Sequence, residues 1–312
     1  MGHNHNHAAG SNKKVLLVSF LIITSYMIIE AIGGFLTNSL ALLSDAGHML
    51  SDSISLMIAL IAFKLGEKTV NYSKTFGYKR FEIIAAMING ATLIGISFYI
   101  LYEAIARFAN PPEVATTGMF IISLIGLLVN ILVAWIMMHS GDTENNLNMR
   151  GAFLHVISDM LGSVGAIVAA MLIMFFGWGW ADPLASAIVA VLILRSGYYV
   201  TKDALHVLME GTPPHVDVED VILTMEKTEG IQGIHDLHIW SITSGLNALS
   251  CHAVVDNQLT MAESEKILRS LEHELEHKGI THVTIQMETA AHNHGNSILC
   301  KAKNEPLHHH HH

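Results

Sequence analysis

Charged side chains are scarce in this 312-residue chain: Asp, Glu, Lys and Arg make up 14% of it, against about 25% in soluble globular domains. With 51% hydrophobic residues, the composition excludes an ordinary soluble protein. Basic charge is scarcer still. A formal net charge of −10 argues against nucleic acid as a partner, because such proteins carry basic surfaces. Two cysteines, Cys251 and Cys300, are too few for a disulfide framework. No Gly-rich phosphate loop is present, which disfavours a primary pump. No cleavage-site pattern follows the first apolar stretch, so it reads as a retained transmembrane helix and not a removed signal peptide.

Histidine, by contrast, is abundant. Of 21 histidines, His308–His312 read as a purification tag, and the other 16 raise the question of metal. His3, His5 and His7 alternate with Asn in a polar tail. Such a tract binds metal weakly, or is simply a polar terminus.

Apolar residues concentrate before about residue 208. Six stretches there are long enough to cross a bilayer, which takes about 20 apolar residues: 15–36, 40–65, 81–108, 114–139, 151–176 and 183–200. The short turn from Gly33-Gly34 to Asn38 makes the first two helices antiparallel neighbours. Asn110-Pro111-Pro112 ends the third, since proline stops a helix at its preceding residue. The loop after the second helix carries Lys64, Lys68, Lys74, Lys79 and Arg80, and Lys13 and Lys14 precede the first. The positive-inside rule then places both termini in the cytoplasm. Trp178 and Trp180 suit an interfacial belt at the opposite face.

After Gly211 and Pro213-Pro214 the pattern changes. Val218, Val221, Ile222 and Met225 recur at helical spacing; 234–242 and 246–255 alternate as strands around Ser244-Gly245. Thr260 and Glu263 form a capping box for a second helix, and 282–288 is a third strand. The expected fold class is a polytopic α-helical membrane protein with six transmembrane helices, followed by a small cytoplasmic α+β domain of αββαβ, ferredoxin-like order. The expected division is a cytoplasmic tail (1–14), a transmembrane domain (15–208), the cytoplasmic domain (209–290) and a flexible tail with the tag (291–312). A domain of roughly eighty residues gains from pairing with a second copy.

Two His-x-x-x-Asp pairs, His48/Asp52 and His155/Asp159, sit inside the second and fifth apolar stretches. Four residues apart, each pair occupies one helical face. Ionisable groups at membrane depth need a partner and mark functional sites. At 1.5 Å per residue, His48 and Asp52 lie roughly 12 and 18 Å from the outer start of their helix, and the second pair roughly 6 to 13 Å from the inner start of its own. Two imidazoles and two carboxylates can thus converge as the ligand set of a tetrahedral Zn2+ site. Two carboxylates neutralise one divalent ion, and imidazole nitrogens favour Zn2+, Cd2+ or Co2+ over Mg2+ or Ca2+. Because imidazole must be deprotonated to bind metal, protons compete with the ion at the same atoms. Asp45, one turn from His48, is a relay or ion entrance, or equally a helix-holding group. Glu30, Asn89 and Asn130 read as helix-packing groups.

These residues and the domain order resemble the cation diffusion facilitator family. The resemblance is carried by Leu42-Leu43-Ser44-Asp45-Ala46-Gly47-His48-Met49-Leu50-Ser51-Asp52, by His155-Val156-Ile157-Ser158-Asp159 and by Gly233-Ile234-His235-Asp236-Leu237-His238-Ile239-Trp240. It implies a homodimer in the cell membrane that exports Zn2+, Cd2+ or Co2+ from the cytoplasm in exchange for protons, with no organic cofactor. His48 and His155 match the selective positions; His on helix two makes manganese or iron less favoured. The family's second site, between helices two and three, is expected to be absent, since that loop holds Asn71, Tyr72 and Tyr78 and no histidine. In the cytoplasmic domain His235, His252 and Glu288 match ligands of a metal site, whereas Gln286 stands where a histidine is expected. Read from strand alternation, His235 shares a face with Leu237 and Ile239, which fits a structural histidine equally well. Cys251 and His252 point to opposite faces and do not ligate one ion together.

The expected function is a secondary transporter and not an enzyme. The alternative is a membrane-anchored metal sensor, whose helices would need no ion site at mid-membrane depth. A passive channel fits less well, since a tight four-ligand site retains its ion unless something competes.

Overall fold

The structure is a computed structural model that describes residues 5–66, 71–140, 147–243, 245–291 and 297–298. Side chains before residue 17, and several in the second and fifth helices, lie outside the description. Two compact units result, one up to Ala204 and one from Leu205.

Six long helices make up the first unit: α1 (His5–Thr37), α2 (Leu40–Gly66), α3 (Phe81–Ala109), α4 (Thr116–Ser140), α5 (Leu147–Phe176) and α6 (Ala181–Leu208). Within them 17–37, 81–109, 116–139, 159–176 and 181–208 are long and apolar enough to cross a membrane. The sequence places the helices well but cuts several short. α1 begins at His5, inside the expected tail, and α6 runs to Leu208 where its apolar run fades near Val200. Helical hydrogen bonding continues past the apolar stretch because no proline interrupts it.

Several hydroxyls inside these helices are satisfied locally. Thr37, Thr92, Ser97, Ser123, Ser186 and Thr201 each donate to the carbonyl four residues earlier, which lets a hydroxyl sit in apolar surroundings. Small residues set the close approaches: a Cβ on Gly197 of α6 would lie 2.9 Å from the Gly90 carbonyl of α3. Large apolar side chains such as Phe98, Tyr102, Ile105 and Ile188 face outward, as they do in a bundle surrounded by lipid. Between α5 and α6 the rings of Trp178 and Trp180 stack with centroids 5.1 Å apart.

The α1–α2 turn is held from α3. Asn38 adopts a left-handed backbone with φ 57°, and Arg107 donates to its carbonyl at 2.7 Å while pairing with Glu103 at 2.9 Å.

The second unit orders α7 (Val218–Lys227), β1 (Ile231–Thr243), β2 (Leu246–Val255), α8 (Met261–His277) and β3 (His282–Thr289). The strands lie in the order β1-β2-β3; β1 and β2 are antiparallel, β2 and β3 parallel. The parallel pair needs a crossover, which α8 supplies. Val221 and Met225 of α7 and Leu271 and Leu275 of α8 bury against Ile234, Leu237, Leu249 and Cys251, so both helices cover one face. Asp217 caps α7 by accepting from Glu219 N and Asp220 N, and the Thr260/Glu263 capping box closes α8 as its sequence indicates.

Candidate metal centre

Asp182, the second residue of α6, fixes the start of α2. It is fully buried, and its carboxylate accepts from Ser39 Oγ at 2.6 Å, Leu40 N at 2.9 Å and Ala41 N at 3.1 Å. Those amides are orphan donors of the α2 N-terminus, whose positive dipole end favours an anion. Nothing in the apolar pattern of the sequence singles out Asp182. Its place beside Pro183 at a helix start was the available signal.

From that anchor α2 runs unbroken through Asp45, His48 and Asp52. It packs on α5 where α5 is thin. A Cβ on Gly162 would collide with the Asp45 carboxylate, and Ser163 Oγ donates to Asp45 Oδ2 at 3.4 Å. Asp45 therefore ties α2 to α5 in the interior, only 2% exposed, and does not stand at an open mouth. One turn on, His48 Nε2 lies 3.5 Å from Asp159 Oδ1 of α5. Asp159 is 1% exposed and the His48 side chain 19%. Two ligand atoms on one tetrahedral Zn2+, with bonds near 2.1 Å, stand about 3.4 Å apart. Nitrogen and oxygen thus already have the spacing of two ligands. Asp52 and His155 each lie four residues along from these two in unbroken helix, and their side chains lie outside the described residues.

Neighbouring helices hold the frame. Asn89 of α3 donates to Ser51 Oγ at 3.0 Å, and Thr24 of α1 donates to Ser53 Oγ at 3.1 Å. The packing role expected of Asn89 is thus visible. Glu30 is fully buried, with Tyr26 Oη 3.1 Å from its Oε1.

A second cluster lies in the α+β unit. His235 Nε2 is 3.0 Å from Glu288 Oε1, and His252 Nδ1 is 3.0 Å from Glu288 Oε2. The imidazole centroids are 5.1 Å apart. One ligand atom from each of the three residues can be chosen so that all lie within 4.8 Å of one another. Strand alternation does not hold at His235. A register shift between His235 and His238, with Asp236 at φ 55°, makes a bulge, and a bulge reverses the faces of the residues beyond it. Ile234, Leu237 and Ile239 all join the core, while His235 sits opposite His252 in register. Alternation holds on β2: Cys251 is in the core and His252 meets Glu288. Burial pushes the Cys251 thiol up to about 12. Gln286, in register with His252, turns its amide toward Glu288 Oε2 at 3.5 Å.

Family models match both units. One, the cation efflux transmembrane domain, covers residues 16–209, and another, the cytoplasmic domain of cation efflux proteins, covers 213–290. The chain is 78% identical over 312 residues to a cadmium, cobalt and zinc/H(+)-K(+) antiporter of Bacillus subtilis, covering 100% of both chains. It is 77% identical over 313 residues to the protein of that name in Bacillus velezensis, again covering 100% of both. With the metal cation efflux system protein CzcD of Cupriavidus metallidurans it shares 42% over 290 residues, 93% of this chain and 90% of that one. Matched along both its membrane and its α+β parts, the chain belongs to the cation efflux proteins, the cation diffusion facilitator family.

Proposed function

We propose that this protein exports Zn2+, with Cd2+ and Co2+ as further substrates, from the cytoplasm by metal/proton antiport. The carrying observation is the His48–Asp159 contact at ligand spacing between α2 and α5, with the Asp159 carboxylate buried. Asp52 and His155 complete the transport site in this reading, giving two nitrogens and two carboxylates around one ion. The charge of the ion is neutralised by Asp52 and Asp159, and protons displace it at His48 and His155. Asp45 serves as the adjoining relay.

Six helices span the cell membrane in this reading, α2 being the sixth, with both termini cytoplasmic. Residues 1–14 form the cytoplasmic tail, 15–208 the transmembrane domain, 209–290 the cytoplasmic domain and 291–312 the terminal tail. The α+β unit is an open ferredoxin-like sheet that pairs two copies into a homodimer; the match to the cytoplasmic-domain model supports this. His235, His252 and Glu288 form a cytoplasmic metal site in each subunit, supported by their convergence within 4.8 Å.

The test is uptake of Zn2+, Cd2+, Co2+ and Mn2+ into proteoliposomes under controlled pH and K+ gradients; K+ is included because the two Bacillus relatives carry it in their names. Zn2+ movement driven by an opposing proton gradient, lost in Asp159→Ala, is expected. No metal movement by correctly inserted protein would overturn the transporter and favour a membrane-anchored sensor.

A further inference from the structure

The outer side of α8 carries two histidines that the transport reading leaves unused. His273 and His277 stand four residues apart, so their side chains are neighbours on one helical face. Nε2 of one lies 3.3 Å from Nε2 of the other, with the ring centroids 4.6 Å apart. Two ligand atoms on one tetrahedral Zn2+ stand about 3.4 Å apart, so the two nitrogens already hold ligand spacing. Both residues are exposed, which leaves the remaining coordination positions to water.

The helix holds this pair in place. Leu271 and Leu275, on the opposite side of α8, are fully buried in the core against the sheet. The Thr260/Glu263 box caps the first turn, and Lys278, just past the last, pairs with Asp220. Little ordering is left for an ion to impose. The surrounding charge suits a cation: Glu272, Glu274 and Glu276 are exposed along the same stretch, and the C-terminal end of a helix dipole is negative. The pair is also separate from His235, His252 and Glu288. α8 covers the sheet face to which Cys251 points, whereas His252 lies on the other face.

We propose that His273 and His277 form a divalent transition-metal site on the last turn of α8, taking Zn2+ or a similar borderline ion through both Nε2 atoms. As a hydrogen bond, their contact has one neutral ring donating and the other accepting. On binding, the donating ring loses its Nε2 proton to water and gains one at Nδ1, so both Nε2 lone pairs turn to the ion. Neutral rings release no net proton in this step, and no electron is transferred. Imidazole nitrogens suit Zn2+, Co2+, Ni2+ or Cu2+ and not Mg2+. Protonation of the rings below about pH 6.5 removes the lone pairs and with them the site.

The experiment footprints the full-length protein at neutral pH with diethyl pyrocarbonate, which acylates imidazole nitrogens. Modification is read residue by residue by mass spectrometry, with Zn2+ or Mg2+ added up to millimolar concentration. Each histidine is read separately, so metal held by the terminal histidines does not enter the result. Hydrogen exchange at the end of α8 is followed in parallel. We expect Zn2+ to slow acylation of His273 and His277 along one titration curve, by about tenfold at ten times the dissociation constant. Exchange of the Lys278, Gly279 and Ile280 amides, which bond back to carbonyls of α8, should slow with it. Mg2+ should do neither. In His277→Ala, His273 should acylate at one rate with and without Zn2+, at concentrations that protect the wild type. Unchanged acylation of both wild-type rings up to millimolar Zn2+ would overturn the site, whether or not the variant folds. So would protection of His273 that survives His277→Ala, or equal protection by Mg2+.

Discussion

His48 Nε2 and Asp159 Oδ1 stand 3.5 Å apart, joining α2 to α5 with the spacing of two ligands on one ion. His48→Asp replaces a borderline nitrogen with a hard oxygen and adds negative charge. Zn2+ affinity should fall by at least about tenfold, the loss expected from disturbing even an outer partner of a metal ligand. Mn2+ or Cd2+ transport should gain relative to Zn2+. Competition uptake with all three metals reads this, and an unchanged metal profile would place selectivity elsewhere.

Asp182→Ala should destabilise the membrane unit more than any change at its rim. It strands Leu40 N, Ala41 N and Ser39 Oγ in a buried position, at about 3 kcal/mol or more. Ser39→Ala removes one of these donors and should cost about 1 kcal/mol. Thermal unfolding in detergent ranks the two; equal midpoints would mean that the cap does not hold α2.

At Gly162 a single methyl group should be enough to disturb transport. The added Cβ collides with the Asp45 carboxylate, so α2 and α5 must separate or Asp45 must turn away. Overpacking of this kind costs roughly 1–3 kcal/mol, and it moves His48 relative to Asp159. Gly162→Ala should therefore insert and fold but lose most zinc flux. Gly165 is the control, because a Cβ there meets nothing within 4 Å; equal flux loss in Gly165→Ala would refute the steric account.

The α8 cap gives a pH dependence with a definite sign. Glu263 Oε2 accepts from the Thr260 backbone N–H at 2.8 Å, and that bond, with the one from the Thr260 hydroxyl, holds the carboxyl below its ordinary value. A carboxyl lowered by folding stabilises the folded state above its unfolded value, and the contribution disappears as pH falls through the folded value. Glu263→Gln should accelerate hydrogen exchange in the first turn of α8 at neutral pH and match the wild type well below the carboxylate range. A difference that persists in acid would show that charge is not the cause.

What sequence alone determined was local and periodic. Long apolar runs indicated the six helices α1 to α6, five of which hold described stretches apolar enough to cross a membrane, and the four-residue spacing of His48/Asp52 and His155/Asp159 put each pair on one helical face whatever the neighbours do. The Thr260/Glu263 cap was legible for the same reason, since both partners lie within one turn. Tertiary structure decided what depends on residues distant in sequence. Asp182 caps a helix that begins 142 positions earlier, and no local pattern announces such a partner. Alternation put His235 on the face of Leu237, because it assumes an unbroken pleat; the left-handed Asp236 breaks it and turns His235 toward Glu288.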